Sequence, residues 1–138
     1  MYCDQTEIEN RISPADLVLL ADQDGDGNAD SAVVNQAIHD ACGHIDSYLA
    51  VKFAVPIVPT PDVLRKRAVS LSHYFLQLGR DSVTENMQKE YDRITKWLEA
   101  VVAGTVSLGI SATPAASSAA PGAQHTEQPR LFGRDKEL

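Results

Sequence analysis

The stretch of the chain with the clearest capacity for chemistry runs from residue 22 to residue 30, where acidic residues alternate with glycine and polar residues. Its carboxylates belong to Asp22, Asp24, Asp26 and Asp30, and Asn28 adds a carbonyl oxygen. Oxygen atoms brought together by a turn are the ligands that Ca²⁺ prefers in proteins. The residue types and their spacing therefore make this segment, called the acidic loop below, a candidate calcium site.

The acidic loop resembles the calcium loop of EF-hand and dockerin proteins, because its four aspartates fall at the first, third, fifth and ninth ligand positions and Gly27 at the sharp turn. The twelfth position, where a bidentate glutamate should complete the shell, is Val33, and the eighth is Ala29. Two interpretations follow. The loop is a solvated turn whose aspartates make Asx turns and cap the next helix, or it binds calcium weakly. A calcium-binding interaction module is thus the alternative function, although such modules usually pair two loops.

No catalytic or cofactor motif accompanies the loop. The histidines lie at positions 39, 44, 73 and 125, and the first two are about 140° apart on a helix, so they do not converge on one metal. The chain has no His-Glu-x-x-His, no glycine-rich phosphate loop and no Gly-x-Ser-x-Gly motif. We therefore predict that the protein is not an enzyme and uses no cofactor beyond a possible weakly bound Ca²⁺.

Charge and apolar patterning exclude several classes of partner. Among 138 residues, 12 basic and 19 acidic ones give a formal net charge of −7, which disfavours direct sequence-specific nucleic-acid binding because phosphates require a basic face. Apolar runs such as residues 17–21 are far shorter than the ~20 residues of a membrane span, and no signal peptide is recognisable. Cys3 and Cys42 form neither a disulfide framework nor a metal motif.

Two short helices should precede the acidic loop. Thr6 and Glu9 have the spacing of a capping box, which predicts a helix ending near Ile12. Ser13 followed by Pro14 suits an N-cap and a first helical position, which predicts a second helix. The chain would then turn at the loop, so that the longer helices begin after it.

Three principal amphipathic helices are predicted after the loop, which makes the protein all-α. The second should carry an apolar stripe from Val63 to Leu78, and Gly43 in the first suggests a close helix crossing. An extended proline-rich connector at residues 54–60 separates the first two. The predicted starts and ends are Ser31 to Leu49, Thr60-Pro61 to Gly79, and a Ser82/Glu85 capping box to Gly104.

Three residues of the long helices are candidates for an interface. Arg65 and Arg67 fall in the first turns of the second long helix, where cations oppose the helix dipole by a few tenths of a kcal/mol each. An acidic partner could offset that cost. Trp97, the only tryptophan, lies at core spacing in the third long helix and is expected to be a core or subunit-interface anchor.

The composition divides the chain into a helical domain, residues 1–110, and a C-terminal segment, residues 111–138. The second segment begins with a Ser/Ala/Pro/Gly tract that is too small-sided to bury much area and is predicted to be a flexible linker. Residues 129–135 then form a candidate docking peptide. Its apolar and cationic side chains are Arg130, Leu131, Phe132 and Arg134.

Short motifs in a fixed order along nearly the whole chain carry a resemblance to a known family. These motifs are Tyr2-Cys3, Glu7-Ile8-Glu9, Arg11-Ile12, the acidic loop with Ala32-Val33-Val34, Ile45-Asp46-Ser47-Tyr48-Leu49 with Phe53 and Pro56, Pro59-Thr60-Pro61 with Leu64-Arg65, Tyr91, Leu98, Gly104 to Gly109, and Arg130 to Asp135. In this order the chain resembles the head-tail connector (adaptor) proteins of Mu-like tailed phages and prophages.

The resemblance implies a structural virion protein. Such an adaptor would be all-helical and would assemble on the virion as a ring, of twelve copies, beneath the portal protein. It would complete the head after genome packaging and offer the attachment site for tail-side connector or tail terminator proteins. The resemblance further implies a protein that is present in the host cytoplasm during assembly and resides at the head-tail interface. We predict that the isolated protein is largely monomeric.

Overall fold

The computed structural model describes residues 1–110, in which five α-helices and no strands occur. The predicted all-α fold with two short and three long helices is confirmed. The predicted linker and the docking peptide at residues 129–135 lie outside the described residues. The helices are α1 (Gln5–Arg11), α2 (Pro14–Ala21), α3 (Ser31–Leu49), α4 (Asp62–Gly79) and α5 (Glu85–Ala103).

The long helices build the core. α3 and α4 lie side by side, and they run antiparallel because Ala32 at the start of α3 lies beside Gly79 at the end of α4. α5 packs against both, and α1 and α2 cover the same pair from another side. Within residues 1–110, no helix is long and apolar enough to cross a bilayer. The largest apolar side chains that are wholly or almost wholly buried are Ile8, Val34, Ile38, Ile45, Leu49, Leu64, Leu71, Ile94, Leu98 and Val101.

Three predicted helix starts are wrong by one or two residues. The capping box of α1 is formed by Asp4 and Glu7 instead of Thr6 and Glu9, which brings Ile8 into the core. α5 is capped by the Thr84 hydroxyl, which accepts from the backbone N–H of Met87 at 3.3 Å. Ser82, the predicted cap, instead donates to the carbonyl of Gln77 at 3.2 Å. The third wrong start is that of α4, where Pro61 is the N-cap and not the first helical residue. Ser13 caps α2 as predicted.

The proline-rich connector contains no helix and is held to the core by Tyr2. The buried Tyr2 hydroxyl accepts from the backbone N–H of Ile57 at 3.0 Å and donates to the carboxylate of Asp46 on α3. One side chain thus joins the segment before α1, the middle of the connector and α3. Burial, together with the hydrogen bond to Asp46, raises the pKa of Tyr2 well above its ordinary value of 10.0.

The substitution Tyr2→Phe should lower the free energy of unfolding at pH 7 by about 1–2 kcal/mol, because it leaves the Ile57 N–H and the Asp46 carboxylate without their partner. A raised pKa in the folded state contributes stability that is complete below pH 10 and is lost as pH rises further. Urea unfolding between pH 7 and pH 11 should therefore show wild type losing stability faster than the variant above pH 10. Parallel curves would contradict this role of the hydroxyl.

Gly43 does not mark a close helix crossing, and that prediction is wrong. The residue is exposed in the middle of α3, and a Cβ placed on it would meet no atom within 4 Å. Gly43→Ala should therefore raise the free energy of unfolding by roughly 0.5–1 kcal/mol through helix propensity alone. Thermal unfolding measures this gain. Gly104→Ala is the control and should destabilise, because Gly104 ends α5 at a φ of 86°.

Candidate functional site

The candidate residues of the described chain fall into two groups, one at each end of the α3–α4 pair. The guanidinium of Arg80, at the end of α4, donates to the carbonyl of Leu20 at 3.0 Å and to that of Asp22, which fixes the acidic loop at this end. Arg65 and Arg67 lie in the first two turns of α4. Fifteen helical steps of 1.5 Å place Arg65 about 22 Å from Arg80 along the axis. The two groups are therefore separate surfaces.

The acidic loop is shaped by hydrogen bonds from its own backbone to its carboxylates. The two carboxylate oxygens of Asp22 accept from the N–H groups of Gly25 at 2.7 Å and Gly27 at 2.9 Å. Both glycines have positive φ angles, 78° and 87°, which side chains rarely permit. The glycines therefore let the chain wrap around the Asp22 carboxylate.

The remaining aspartates of the loop divide into two roles. Asp30 precedes α3 and accepts from the N–H of Gln23 at 2.8 Å instead of capping that helix with its side chain. Oxygen atoms of Asp22, Asp24 and Asp30 lie within 4.8 Å of one another. Asp26 is outside this group, and its carboxylate accepts from the N–H of Asn28 at 2.8 Å. Three of the four proposed calcium ligands are thus brought together.

The converging carboxylates differ in their proton affinity. Hydrogen bonds from Gly27 and Gly25 lower the pKa of Asp22 below its ordinary value. For Asp24 the hydrogen bond from the Asp26 N–H, which lowers the pKa, is outweighed by desolvation and by the charges of Asp26 and Asp30, so its pKa is raised. Negative charge is therefore crowded around Asp24, whereas backbone N–H groups of the loop stabilise the ionised carboxylate of Asp22.

We expect no saturable heat when Ca²⁺ is titrated to millimolar concentration in a calorimeter. Ca²⁺ takes six to eight oxygen ligands, whereas Val33, at the twelfth position, is half-buried in α3 against the core and offers no side-chain oxygen. A saturable heat that disappears in Asp24→Asn would contradict this expectation. Asp40→Asn is the matched control, because Asp40 is exposed on α3 and outside the carboxylate group.

The second group is a basic and aromatic surface formed by α4 and α5. The Arg67 guanidinium carbon lies 5.2 Å from the centre of the half-buried Trp97 ring, and its Nη1 is 4.0 Å from Glu90. Arg65 is 3.7 Å from Glu7. Ion pairs this long and this exposed contribute about 0–1 kcal/mol. The two arginines therefore keep most of their capacity to bind carboxylates of a partner, and Trp97 supplies an apolar base beside them.

Among residues 1–110, two histidines, His44 and His73, are partly buried. The His44 ring lies among aromatic rings, 5.3 Å from that of Tyr48 and 5.2 Å from that of Tyr91. Burial lowers the pKa of His44, and also that of His73, whose ring nitrogen is 3.3 Å from the side-chain nitrogen of Gln77. Both rings are therefore predominantly neutral at pH 7, and the His44 ring packs α3 against α5.

Sequence reasoning missed a groove between the start of α3 and the end of α4, called the α3–α4 groove below. It has a volume of about 370 Å³ and borders the acidic loop at Gln23. Small residues are among those that line it, namely Ala32 and Ala37 on α3 and Gly79 on α4. This spacing of small residues on facing helices is the signal that could have indicated the groove, but their pairing requires the helix register, which the sequence alone does not provide.

Comparison with known proteins finds matches over most of the chain. The family model described as Bacteriophage Mu, Gp36 matches residues 2–126. The chain is 31% identical over 106 residues to the Mu-like prophage FluMu protein gp36 of Haemophilus influenzae, covering 77% of this chain and 74% of that protein. It is 32% identical over 100 residues to Gene product J of Escherichia phage Mu, covering 72% of this chain and 70% of that protein. The family match includes all five helices and stops before residues 129–135.

Proposed function

Because the chain belongs to the Bacteriophage Mu Gp36 family, we propose that it is a structural subunit of a Mu-like phage particle, acting as a head-tail connector. Copies of the chain assemble as a ring of twelve beneath the portal protein, complete the head and provide the attachment site for tail-side connector or tail terminator proteins. The observation that carries this proposal is the family match across residues 2–126. The protein acts by binding and not by catalysis.

The placement of charge on the described residues supports a connector role. A ring subunit between a head and a tail must meet different partners at its two ends, and this chain has an acidic loop at one end of α4 and Arg65 and Arg67 at the other. Ends of unlike charge can bind partners of unlike charge, one on the head side and one on the tail side. Arg65, Arg67 and Trp97 form the surface for an acidic partner.

The candidate docking peptide adds a second type of contact. Arg130, Leu131, Phe132 and Arg134 combine apolar anchors with cations on a segment that follows the helical domain. Short peptides of this kind bind through a few anchor side chains placed in a groove. In the proposed particle this segment joins the connector to its neighbours during assembly.

The proposal is tested by complementing a phage mutant that lacks the gene for this chain. Lysates of the mutant should contain DNA-filled heads and free tails but no joined particles under the electron microscope. Addition of the purified protein should restore joined, infectious particles, whereas addition of the Arg65→Glu/Arg67→Glu variant should not. Lys89→Glu, a charge reversal at an exposed position of α5, is the control and should restore joining. Normal tailed particles in the mutant lysate would refute the connector role.

The alternative function, a weakly calcium-binding interaction module, is favoured by one observation, the convergence of oxygen atoms from Asp22, Asp24 and Asp30. It differs from the connector role in its dependence on the metal. If this alternative held, a chelator would abolish joining in the complementation assay. The connector proposal predicts the same particle yield with and without chelator.

A further inference from the structure

The α3–α4 groove has the lining of a peptide-binding site. At about 370 Å³ it falls in the size range of sites that hold small ligands or a few side chains. The ring of Phe75 and the side chain of Val33 are only partly buried there, so both present apolar surface to the opening. The apolar lining residues are Leu20, Ala32, Val33, Ala37, Phe75 and Leu76.

The rim of the groove carries acidic groups. Asp40 lines it directly, and the acidic loop adjoins it at Gln23, whose N–H is bound by Asp30. The cation among its lining residues is Arg80, and the Arg80 guanidinium is already bound to the carbonyls of Leu20 and Asp22. An occupant with apolar anchors and flanking cations would therefore match both the lining and the rim.

We propose that the α3–α4 groove binds residues 130–134 of a neighbouring copy of this chain. This segment reads Arg130-Leu131-Phe132-Gly133-Arg134, so two apolar side chains are flanked by two arginines. Leu131 follows Ile110, the last described residue, by 21 positions, a length that reaches about 70 Å when extended. The segment can therefore span from one subunit to the groove of the next.

In this arrangement Leu131 and Phe132 enter the apolar groove and cover Phe75 and Val33. Arg130 and Arg134 lie towards Asp40 and the acidic loop. Each copy gives its segment to one neighbour and receives that of the other, which is a heterologous contact that closes in a ring. The inference rests on the proposed function for the identity of the donor, since a ring supplies the neighbouring copy.

The direct test is binding of a fluorescent peptide with the sequence of residues 128–138 to the full-length chain. The host carries Leu131→Ser and Phe132→Ser, so that its own segment lacks the anchors. Fluorescence anisotropy should show saturable binding at low salt. A peptide with the same two serine substitutions should bind at least tenfold more weakly. Equal binding of both peptides, or no binding, would overturn the proposal.

Two variants of the host locate the site. Ala32→Trp places a large ring in the groove at an exposed position and should weaken binding at least tenfold. Ala15→Trp, at an exposed position of α2 that does not line the groove, is the matched control and should leave binding unchanged. Asp40→Lys reverses one rim charge at an exposed position and should weaken binding severalfold. Unchanged affinity in both Ala32→Trp and Asp40→Lys would overturn the assignment.

Comparison of the serine-substituted host with wild type identifies the donor. If the neighbouring copy is the donor, the groove of the dilute wild-type chain is open, and both hosts bind the peptide equally. Tenfold weaker binding by wild type would show that each chain fills its own groove and would overturn the assignment to a neighbour. None of these measurements uses phage particles, so their failure leaves the complementation test of the connector role unaffected.

Discussion

Removal of residues 128–138 should leave the helical domain folded and abolish the formation of tailed, infectious particles. The described core lies within residues 2–108, so the thermal unfolding temperature should change by no more than about 1–2 °C. The loss of particles follows because the segment contains both apolar anchors of the proposed contact between copies. Thermal unfolding and the titre of infectious particles measure the two effects.

A matched pair of substitutions separates the docking anchors from the rest of the segment. Leu131→Ser/Phe132→Ser should reproduce the loss of titre, whereas Asp135→Ser/Lys136→Ser should retain most of it, since only the first pair removes the apolar side chains. Wild-type titres from the truncated chain would refute the role given to the segment.

Leu71→Ala should destabilise the fold by about 2–5 kcal/mol, the largest effect on stability that we predict. The Leu71 side chain is fully buried in α4, and its removal leaves a cavity that close-packed neighbours cannot fill. The unfolding temperature should fall by roughly 10 °C or more. Denaturant unfolding followed by circular dichroism measures the change.

Leu78→Ala is the control for this substitution, because it makes the same chemical change two turns later in the same helix. Leu78 is 50% exposed, so its replacement should alter stability by no more than about 0.5–1 kcal/mol. Equal destabilisation by the two changes would mean that α4 does not pack as described.

The long helices could be predicted from the sequence because the apolar spacing of their buried faces is regular. α3 has the bounds predicted from Ser31 and Leu49, and Gly104 follows the end of α5. The stripe of α4 was predicted less well. Its C-terminal half buries Tyr74 and Leu76 while Leu78 is half-exposed, although Gly79 and Arg80 still lie beside α3 and the end of α2. Which side of a helix turn its partners cover depends on tertiary packing and is not encoded in local spacing.

Helix starts were harder to predict because several polar residues near each start can serve as caps. Near α1, Asp4 and Thr6 both have an acidic residue three positions later, and the burial of Ile8 favours the earlier pair. Near α5, Ser82 and Thr84 competed, and Ser82 is used by the end of α4. Which residue caps therefore depends on contacts beyond the local sequence.

The acidic loop could be recognised from its residue types, but its internal geometry could not. The convergence of Asp22, Asp24 and Asp30 and the separate position of Asp26 follow from the turns at Gly25 and Gly27. Its position beside the α3–α4 groove depends on Arg80, more than fifty residues away in sequence. Long-range contacts of this kind are what the structure adds to the sequence.

The measurement that most directly tests the connector role is a cryo-electron microscopy reconstruction of the vertex at which head and tail join in purified particles. We expect a ring between portal and tail in which each subunit fits the five helices of residues 1–110. We also expect density for a neighbour's residues 130–134 in each α3–α4 groove. A neck without this fold, or with this chain located elsewhere in the particle, would contradict the connector role.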